Sequence, residues 1–223
     1  MQSFVYDSPD FRAFLRNSPH ERGEVSFLNS IAQEGMRAMD IGANVGIGSV
    51  AIAKRIGNRG RLHSFEPLPE YFDILKKNVC SNGLENVEIH QLAVTDRVGS
   101  VDFYHRGLSS GILFEEGATK SRVYTTTVDR FLNEEGVGGI DLINMDCECS
   151  ELLVLKGAQE TLQKHKVRIF CEIHHAFLKQ LGQSAGELVE CLRKLRFEVQ
   201  SVCLDDLRVG NDFEKCEYIY AWN

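Results

Sequence analysis

The amino-acid sequence predicts an α/β protein built on a doubly wound, Rossmann-like parallel sheet with helices on both faces. Residues 36–48, MRAMDIGANVGIG, have the pattern of a short apolar strand, a glycine-rich turn and the start of a helix. Strand and helix patterns then alternate along most of the chain, which is typical of parallel strands joined by crossover helices. The last two predicted strands, residues 197–202 and 218–222, alternate apolar and polar residues in the manner of an antiparallel hairpin.

Between these ends the predicted elements follow in a regular order. Helices are placed where apolar residues recur every three or four positions, and strands where short apolar or alternating runs occur. The strands are predicted over 62–65, 87–94, 140–145 and 167–171, with two extra strands over 101–104 and 122–127 around a polar loop at 107–120. The helices are predicted over 69–80, 151–162 and 184–195, with another one starting at 127.

The domain organisation predicted is a helical segment over residues 1–35 followed by the Rossmann-like domain over 36–223. An amphipathic helix is expected at 21–33, with Val25 and Leu28 among its apolar residues. Two roles are open for this segment: it packs over an open end of the sheet as a cover, or it closes over the substrate as a lid. Cover is the favoured role, because short terminal helices usually dock for packing.

Composition is ordinary for a globular protein with one α/β domain. The chain has 223 residues, of which 43% are hydrophobic and 26% charged, with a net charge of −7. An acidic chain is a poor general binder of nucleic acid or anionic membranes, because such binding needs clustered Lys and Arg. We therefore expect a small-molecule partner, no nucleic acid and no membrane; a homodimer is compatible with the sequence.

The seven cysteines are an odd number, and no secretory apolar segment precedes them. This combination favours a cytoplasmic protein with reduced thiols. No apolar run approaches the roughly 20 residues that a membrane-spanning helix needs.

The glycine-rich turn predicts a nucleoside site. Its glycines do not fit G-x-G-x-x-G, because Asn44 stands at the second glycine position and Ile47 at the third. The remaining pattern, D-x-G-x-x-x-G from Asp40 to Gly46, suits a nucleoside without a pyrophosphate. Glu66 follows the next strand, 26 positions after Asp40, close to the roughly 20-residue offset of an acid that hydrogen-bonds ribose hydroxyls.

Two neighbouring segments are also expected at the nucleoside site. Pro67 cannot extend its strand, so the carboxylate of Glu66 is expected at the strand exit, where ligands bind. Gln91, Leu92 and Ala93 end the next strand and could line an adenine pocket. Packing in the core is a nearly equal alternative for Leu92 and Ala93.

Acids recur at four predicted strand exits. They are Asp40, Glu66, the pair Asp146 and Glu148, and Glu172 with His174 close behind it. Each acid alone could be a solvated loop residue or a helix N-cap. Together they favour a functional site, because carboxylates crowded on one edge repel one another unless a ligand or metal uses them.

Four stretches of the sequence resemble the FkbM family of S-adenosylmethionine-dependent methyltransferases. They are DIGANVGIGSVAIAKRIGNRGRLHSFEP, ENVEIHQLAV, IDLINMDCECSELLVLKGA and FCEIHH, in that order. The resemblance covers about residues 21–180. It implies a seven-stranded methyltransferase sheet, mostly parallel, with an antiparallel last strand.

The resemblance also implies the cofactor, S-adenosyl-L-methionine, and the residues that hold it. The turn, with Asp40, Gly42, Ala43, Asn44 and Gly46, is implied to hold the methionine moiety, and Glu66 the ribose. In many members of the family the acceptor is a hydroxyl on a sugar or natural product. The chain departs from the family pattern D-V-E-G-A-E at residues 147–150, where Cys149 and Ser150 replace a glycine and a small residue.

The function that we expect is O-methylation of a hydroxyl on a small molecule, sugar or natural product. The candidate catalytic residues are Asp146, Glu148, Glu172 and His174, and Asp146 is also expected at the cofactor. His174 is the best general base if its pKa is the ordinary value near 6.5. Asp146 and Glu172 could instead hold a divalent cation that acidifies the acceptor.

Other functions stay open at this point. An N-methyltransferase acting on a small molecule or peptide and a cofactor-binding scaffold without turnover both fit the same motifs. The missing third glycine disfavours a nucleotide-dependent oxidoreductase. Zinc held by Cys147 and Cys149 with His174 or His175 is a weaker hypothesis, since this spacing fits no standard structural zinc site.

Overall fold

A computed structural model describes residues 3–106, 109–112, 116–148 and 150–223 of the protein. Part of the predicted polar loop (107, 108 and 113–115) and Cys149 therefore lie outside the described residues. The helices are α1 (Pro9–Asn17), α2 (Pro19–Ile31), α3 (Ile47–Ile56), α4 (Pro69–Ser81), α5 (Val128–Glu134), α6 (Glu151–Lys156), α7 (Gln159–Lys164), α8 (His175–Gln180) and α9 (Ala185–Lys194).

The strands form two sheets. They are β1 (Arg37–Ile41), β2 (Arg61–Phe65), β3 (Val87–His90), β4 (Ala93–Val94), β5 (Gly99–Arg106), β6 (Ser109–Gly111), β7 (Thr119–Thr126), β8 (Leu142–Met145), β9 (Arg168–Glu172), β10 (Glu198–Cys203), β11 (Arg208–Gly210) and β12 (Tyr218–Trp222). Over the described residues the main sheet has eight strands, in the order β11-β10-β12-β9-β8-β1-β2-β3.

The main sheet confirms the predicted class. Its block β3-β2-β1-β8-β9 is parallel, and the last strand, β12, is antiparallel to both β9 and β10. The expected number of seven strands is wrong by one, because β11 pairs with the outer edge of β10. A strand of only three residues leaves no periodic pattern in the sequence, so it could not be predicted.

The predicted strand at 87–94 is in fact two strands in different sheets. β3 pairs with β2 in the main sheet, whereas β4 pairs with β7. The two extra strands predicted near 101 and 122 are β5 and β7, and they belong with β4 and β6 to this second sheet, in the order β4-β7-β5-β6. The chain thus passes from the main sheet into the second sheet directly after β3.

The predicted helix at 151–162 is also divided, into α6 and α7. Gly157 follows the last residue of α6, and a Cβ added there would come within 2.2 Å of the carbonyl oxygen of Thr95. The close packing of this backbone against the chain near β4 coincides with the end of α6.

The main sheet separates two apolar cores, as alternating strand residues require. In β1, Met39 packs into a core with α5, α6, α7 and α9, while Ala38 packs into a core with α2 and α3. The helices therefore cover both faces, as expected for a doubly wound fold. Asp40 shares the α3 face with Ala38.

Strand register aligns the edge where the acids were expected to meet. Ile41 of β1 is opposite Phe65 of β2 and Met145 of β8, and Met145 is opposite Cys171 of β9. The next residue after each of these (Gly42, Glu66, Asp146 and Glu172) therefore lies in one row at the carboxyl ends of the strands. The expectation for Asp40 is wrong in detail, because it lies inside β1, opposite Ser64 and Asn144.

The N-terminal segment consists of α1 and α2, and α2 packs against the main sheet. Phe27 is 7% exposed and stacks on Phe170 of β9, with the ring centroids 4.7 Å apart. Leu28 and Ile31 belong to the same buried core. The start of α2 also lies near the carboxyl ends of the parallel strands, where His20 and Glu24 border a cavity.

One cysteine prediction needs correction. The structure joins Cys203 to Cys216 in a disulfide, so the expectation of reduced thiols is wrong for this pair. Among the described residues, Cys80, Cys171 and Cys191 are free thiols. None of the helices described is long and apolar enough to cross a membrane.

Removing the Phe27 ring should weaken the attachment of α2 to the sheet. We expect Phe27→Ala to lower the free energy of unfolding by about 3–5 kcal/mol, because a buried aromatic is lost from a packed core. Tyr124→Ala is the control, since Tyr124 is 73% exposed. Urea unfolding of both variants measures the difference; equal losses would contradict a structural role for Phe27.

Candidate active site

The glycine-rich turn lies directly against the chain that leaves β8. The backbone N–H groups of Gly42 and Ala43 both donate to the carbonyl oxygen of Phe65, at 3.0 and 2.9 Å. Gly42 has φ +86°, and a Cβ there would lie 1.8 Å from the carbonyl oxygen of Asp146. Only glycine allows this approach, because a side chain would occupy the position of the Asp146 main chain.

Asp40 holds the strands together beneath this turn. It is 2% exposed and accepts hydrogen bonds from Ser49 of α3 and from Asn144 of β8, the latter at 2.8 Å. Burial raises the pKa of Asp40, although both hydrogen bonds oppose the shift. Asp40 thus links β1, α3 and β8, and it also borders the larger of the two cavities described below.

Glu66 lies at the end of β2 with its carboxylate turned toward the glycine turn. It is 3% exposed and accepts hydrogen bonds from the backbone N–H groups of Asn44, at 3.0 Å, and Leu68, at 2.9 Å. Burial raises the pKa of Glu66 to about 7, and the two backbone hydrogen bonds only partly offset this. The carboxylate is therefore positioned but poorly solvated.

Glu66 borders a cavity, which we name the Glu66 cavity; it encloses about 580 Å³ when the open space at its mouth is included. The residues that line it are Ile41, Gly42, Asn44, Phe65, Glu66, Pro67, Leu92, Ala93, Val94, Phe103, Asp146, Cys147, Glu148 and Ser150. Gln91, which the sequence placed here, is exposed and is not among these described lining residues. Phe103 reaches the cavity from β5 of the second sheet and was not expected from the sequence.

A second cavity, of about 1130 Å³, lies on the other side of the glycine turn, and we name it the His174 cavity. Its lining residues are Phe14, His20, Glu21, Glu24, Asp40, Gly42, Ala43, Asn44, Val45, Ile47, Gly48, Asn144, Asp146, Glu148, Glu172 and His174. Gly42, Asn44, Asp146 and Glu148 line both cavities. The two cavities are therefore neighbours that meet at the end of β8.

His174 is surrounded by carboxylates, and we name this group the His174 cluster. Its Nε2 atom lies 3.4 Å from Asp146 Oδ1, 3.5 Å from Glu148 Oε2 and 3.7 Å from Glu172 Oε1. Its Nδ1 atom lies 3.1 Å from an oxygen of Glu151, which is fully buried. All four candidate catalytic residues from the sequence thus come together around one imidazole.

The charges of this cluster change the chemistry expected of His174. Burial alone lowers its pKa, but the hydrogen bond to Glu151 and the charges of Asp146, Glu151 and Glu148 outweigh it and raise the pKa to about 10. The sequence-based premise of a pKa near 6.5 is therefore wrong. Without a bound ligand both nitrogens of the ring carry a proton at neutral pH, so the imidazole cannot act as a general base.

The pKa values of acids in and near the cluster are shifted as well. Burial raises the pKa of Asp146 well above its ordinary value; the charge of Glu172 adds to this effect, whereas His174 opposes it. Glu24 of α2 has its pKa raised to about 8, first by burial and then by the charges of Asp40 and Glu172. Acidic groups are thus crowded in the His174 cavity, and Asp146 and Glu24 hold their protons more tightly than ordinary carboxyl groups do.

Glu172 is held in place from the opposite side. The Tyr218 hydroxyl of β12 donates to Glu172 Oε2 at 2.8 Å, and His20 Nε2 lies 3.0 Å from the same hydroxyl oxygen. β12 and the start of α2 therefore both support this wall of the cavity. Neither contact is encoded by local spacing, since Tyr218 is 46 positions from Glu172 and 198 positions from His20.

Two site residues were not expected from the sequence. The sequence pattern predicts Glu151 only as the start of a helix and Glu24 only as part of an amphipathic helix. The D-x-E-x-x-E spacing from Asp146 to Glu151 is the signal that could have found the former. The zinc hypothesis concerns Cys149, which lies outside the described residues. Gly46 precedes α3 and packs on Leu75, supporting the turn without lining either cavity among the described residues.

Comparison with known proteins decides the family. The family described as the methyltransferase FkbM domain matches residues 40–199, which span the glycine turn, both cavity edges and the His174 cluster. The chain belongs to the FkbM methyltransferase family. The matched domain is that of a family of methyltransferases.

Individual relatives of this FkbM protein are distant. It is 28% identical to the AMB antimetabolite synthetase AmbE of Pseudomonas aeruginosa, over 80% of this chain and 10% of AmbE. It is 28% identical to the methyltransferase sdnD of Sordaria araneosa, over 55% of this chain and 60% of sdnD. The chain thus spans a tenth of the first relative and three fifths of the second.

A solved structure shows the same fold. The FkbM methyltransferase of Methylobacillus flagellatus superposes with a TM-score of 0.54 at 13% identity, over 89% of this chain and 50% of that one. At this identity the likeness concerns the fold alone. It agrees with the parallel block of the main sheet described above.

The Glu66 cavity of the FkbM protein fits the nucleoside part of S-adenosylmethionine. Phe65, Leu92 and Phe103 line it with apolar side chains against which a base would pack, and Glu66 has a carboxylate that would accept hydrogen bonds from ribose hydroxyls. The turn from Gly42 to Asn44, which also borders the His174 cavity, would hold the methionine part.

Adding a side chain at Gly42 should disrupt its contact with the main chain of Asp146 in the FkbM protein. We expect Gly42→Ala to lower the free energy of unfolding by more than about 3 kcal/mol, since it adds a backbone clash to the cost of positive φ. Gly35→Ala is the matched control: Gly35 has φ +84°, but nothing lies within 4 Å of its added Cβ.

For Gly35→Ala the loss should be about 1 kcal/mol, the cost of positive φ alone. Urea unfolding and calorimetric binding of S-adenosylhomocysteine measure both variants. Equal losses in the two variants would contradict the proposed role of the Gly42 contact.

The buried carboxyl of Glu66 should make stability depend on pH. Its pKa is about 7 in the folded chain and near 4.5 in the unfolded chain, so the folded state holds the proton more tightly. This stabilising contribution is complete below pH 4.5 and is lost as pH rises through 7. For this one group the loss is at most roughly 3 kcal/mol.

Urea unfolding of the ligand-free protein and of Glu66→Gln at pH 5 and pH 8 measures this effect. The fall in stability between the two pH values should be smaller in the variant, which cannot ionise at this position. The same fall in both proteins would show that Glu66 does not titrate in this range.

Proposed function

We propose that the protein transfers a methyl group from S-adenosylmethionine to a hydroxyl group of a small molecule, such as a sugar or natural product. The observation that carries this proposal is the meeting of the two cavities at Asp146 and Glu148. One cavity suits a nucleoside, and the other is large enough for an acceptor. Cavities that meet in this way allow an acceptor and a donor to lie side by side, as a displacement reaction requires.

When bound, S-adenosylmethionine supplies a methyl group on a positively charged sulfur. Transfer to a hydroxyl oxygen forms the C–O bond, breaks the S–CH₃ bond to leave S-adenosylhomocysteine, and releases the hydroxyl proton. The protein has to position the oxygen in line with the methyl carbon and receive that proton.

We assign these tasks to the His174 cluster. Asp146 and Glu172 are the carboxylates that receive the proton, and protonated His174 holds them together through its Nε2 atom, 3.4 and 3.7 Å away. Glu151 fixes the ring from the Nδ1 side. His174 is thus a positioning residue rather than the base that the sequence suggested.

A hydroxyl acceptor is favoured over an amine for an electrostatic reason. An amine must lose its proton before it can attack, and the carboxylates of the His174 cavity stabilise the protonated, unreactive form. A hydroxyl is already neutral and needs only a proton acceptor at the moment of transfer. The small-molecule acceptor also agrees with AmbE, the relative named as an antimetabolite synthetase.

Replacing His174 should separate catalysis from cofactor binding. We expect His174→Ala to lower turnover by about 10²-fold or more, since general acid–base positioning is lost. Binding of S-adenosylhomocysteine should change little, because His174 does not line the Glu66 cavity among its described residues. His105→Ala is the control: His105 also pairs with a glutamate, Glu70, at 3.3 Å, and lines neither described cavity.

Radiolabelled methyl donor and a panel of hydroxylated and aminated acceptors measure the turnover. Methyl transfer to amines alone would overturn the assignment of a hydroxyl acceptor. Cofactor binding without transfer to any acceptor would favour the scaffold alternative. Unchanged turnover in His174→Ala would remove His174 from the mechanism.

A further inference from the structure

We infer that Asp146, Glu148 and His174 form a binding site for one divalent first-row transition-metal ion, at the boundary of the two cavities. The metal site itself does not depend on the proposed function; only its catalytic role rests on that proposal. The ligand atoms would be one carboxylate oxygen from each acid and the Nε2 atom of His174.

The positions of these atoms suit a metal ion. One ligand atom from each of the three residues lies within 4.8 Å of the others, and His174 Nε2 is 3.4 and 3.5 Å from the two carboxylate oxygens. Bonds of about 2.1 Å place neighbouring ligand atoms roughly 3.0–3.4 Å apart in octahedral or tetrahedral sites. Small side-chain shifts therefore close the shell around an ion.

The imidazole is oriented as metal-binding histidines usually are. Glu151, which is fully buried, lies 3.1 Å from Nδ1 and is placed to accept its proton. A carboxylate on one ring nitrogen fixes the tautomer that leaves the other nitrogen free to bind metal. Here the other nitrogen is Nε2, and it faces Asp146 and Glu148.

The carboxyl groups around Nε2 also favour a cation. Three carboxylates, those of Asp146, Glu148 and Glu172, approach this atom within 4 Å. A proton on the ring supplies a single positive charge, whereas a divalent ion supplies two and bonds directly to the oxygens. The described structure offers no Lys or Arg among the residues that line the His174 cavity.

The donor set indicates the kind of metal. Carboxylate oxygens suit magnesium, calcium and manganese, whereas imidazole nitrogen suits zinc, iron and their neighbours. A mixed set of two oxygens and one nitrogen therefore favours a first-row divalent ion such as manganese or zinc. This set also differs from the pair Asp146 and Glu172 suggested by the sequence, because Glu172 lies farther from Nε2 and is held by Tyr218.

A second cluster serves as a contrast. His63, Glu88 and His90 also bring three ligand atoms together, where β2 pairs with β3. There the two imidazole nitrogens are 3.2 Å apart and can hydrogen-bond to each other, and Arg61 lies 3.2 Å from Glu88. The second cluster has its own proton and cation partners, so its geometry does not call for an ion.

The ion would stabilise the negative charge that develops on the acceptor oxygen in the proposed reaction. A hydroxyl oxygen that loses its proton gains negative charge, and the carboxylates of the His174 cluster oppose this charge. A divalent ion beside the acceptor lowers the pKa of the hydroxyl as a Lewis acid. With the ion bound in place of the Nε2 proton, the proton released from the hydroxyl passes to Glu172, which is outside the ligand set.

Manganese binding tests the site without any methyl acceptor. The purified protein is stripped with chelator, and Mn²⁺ is titrated while the free ion is followed by electron paramagnetic resonance. We expect one bound equivalent in the wild type, and binding weakened by at least tenfold in His174→Gln and Asp146→Asn. His90→Gln is the matched control and should bind as the wild type does. Thermal unfolding in chelator shows which variants are folded, so that a loss of binding is scored only in folded protein.

Each outcome has a distinct meaning. Absence of Mn²⁺ binding in the wild type, or loss in His90→Gln with binding kept in His174→Gln, overturns the metal site. If methyl transfer to hydroxylated acceptors then continues in chelator, the proposed function stands without the ion. Binding as expected, together with failure of methyl transfer to every acceptor, overturns the proposed function and leaves the metal site intact.

Discussion

The close approach of the glycine turn to the end of β8 is the constraint on which the site depends. Gly42 leaves no room for a side chain because the carbonyl oxygen of Asp146 lies where a Cβ would be. Asp40 holds β1, α3 and β8 together just beneath, through Ser49 and Asn144. This pairing of two loops brings the carboxylate of Asp146 to the border of both cavities. Without it, the nucleoside side and the acceptor side would be separate surfaces.

Electrostatics follow from that geometry. Strand register places Glu66, Asp146 and Glu172 in one row, and the fold adds Glu24 and Glu151 from two helices. Crowded, poorly solvated carboxylates hold protons or bind cations, since separate ionisation of each is too costly. The raised pKa values of Glu66 and Glu24, and the retained proton of His174, are different results of this one condition. A positively charged donor is well suited to such an edge.

Much of this could be predicted from the sequence because it is encoded locally. Apolar periodicity predicts β1, α3 and β2, and parallel order puts the residues after these strands at one edge, so Glu66, Asp146 and Glu172 meet as expected. Long-range features could not be predicted. The pKa of His174 depends on Glu151, Asp146 and Glu148 together, and a spacing pattern contains no such sum of charges. Gln91 was misplaced because the chain leaves the main sheet after β3, and the disulfide of Cys203 depends on the path of a short strand, β11.

The second sheet has a consequence for how the Glu66 cavity can be altered. Phe103, an apolar wall of the nucleoside side, belongs to β5, outside the Rossmann-like sheet that carries the acids. β5 is hydrogen-bonded to β6 and β7 and not to β1, β2 or β8. A substitution at Phe103 would therefore reshape this wall of the Glu66 cavity without altering the pairing of the strands that carry the acids.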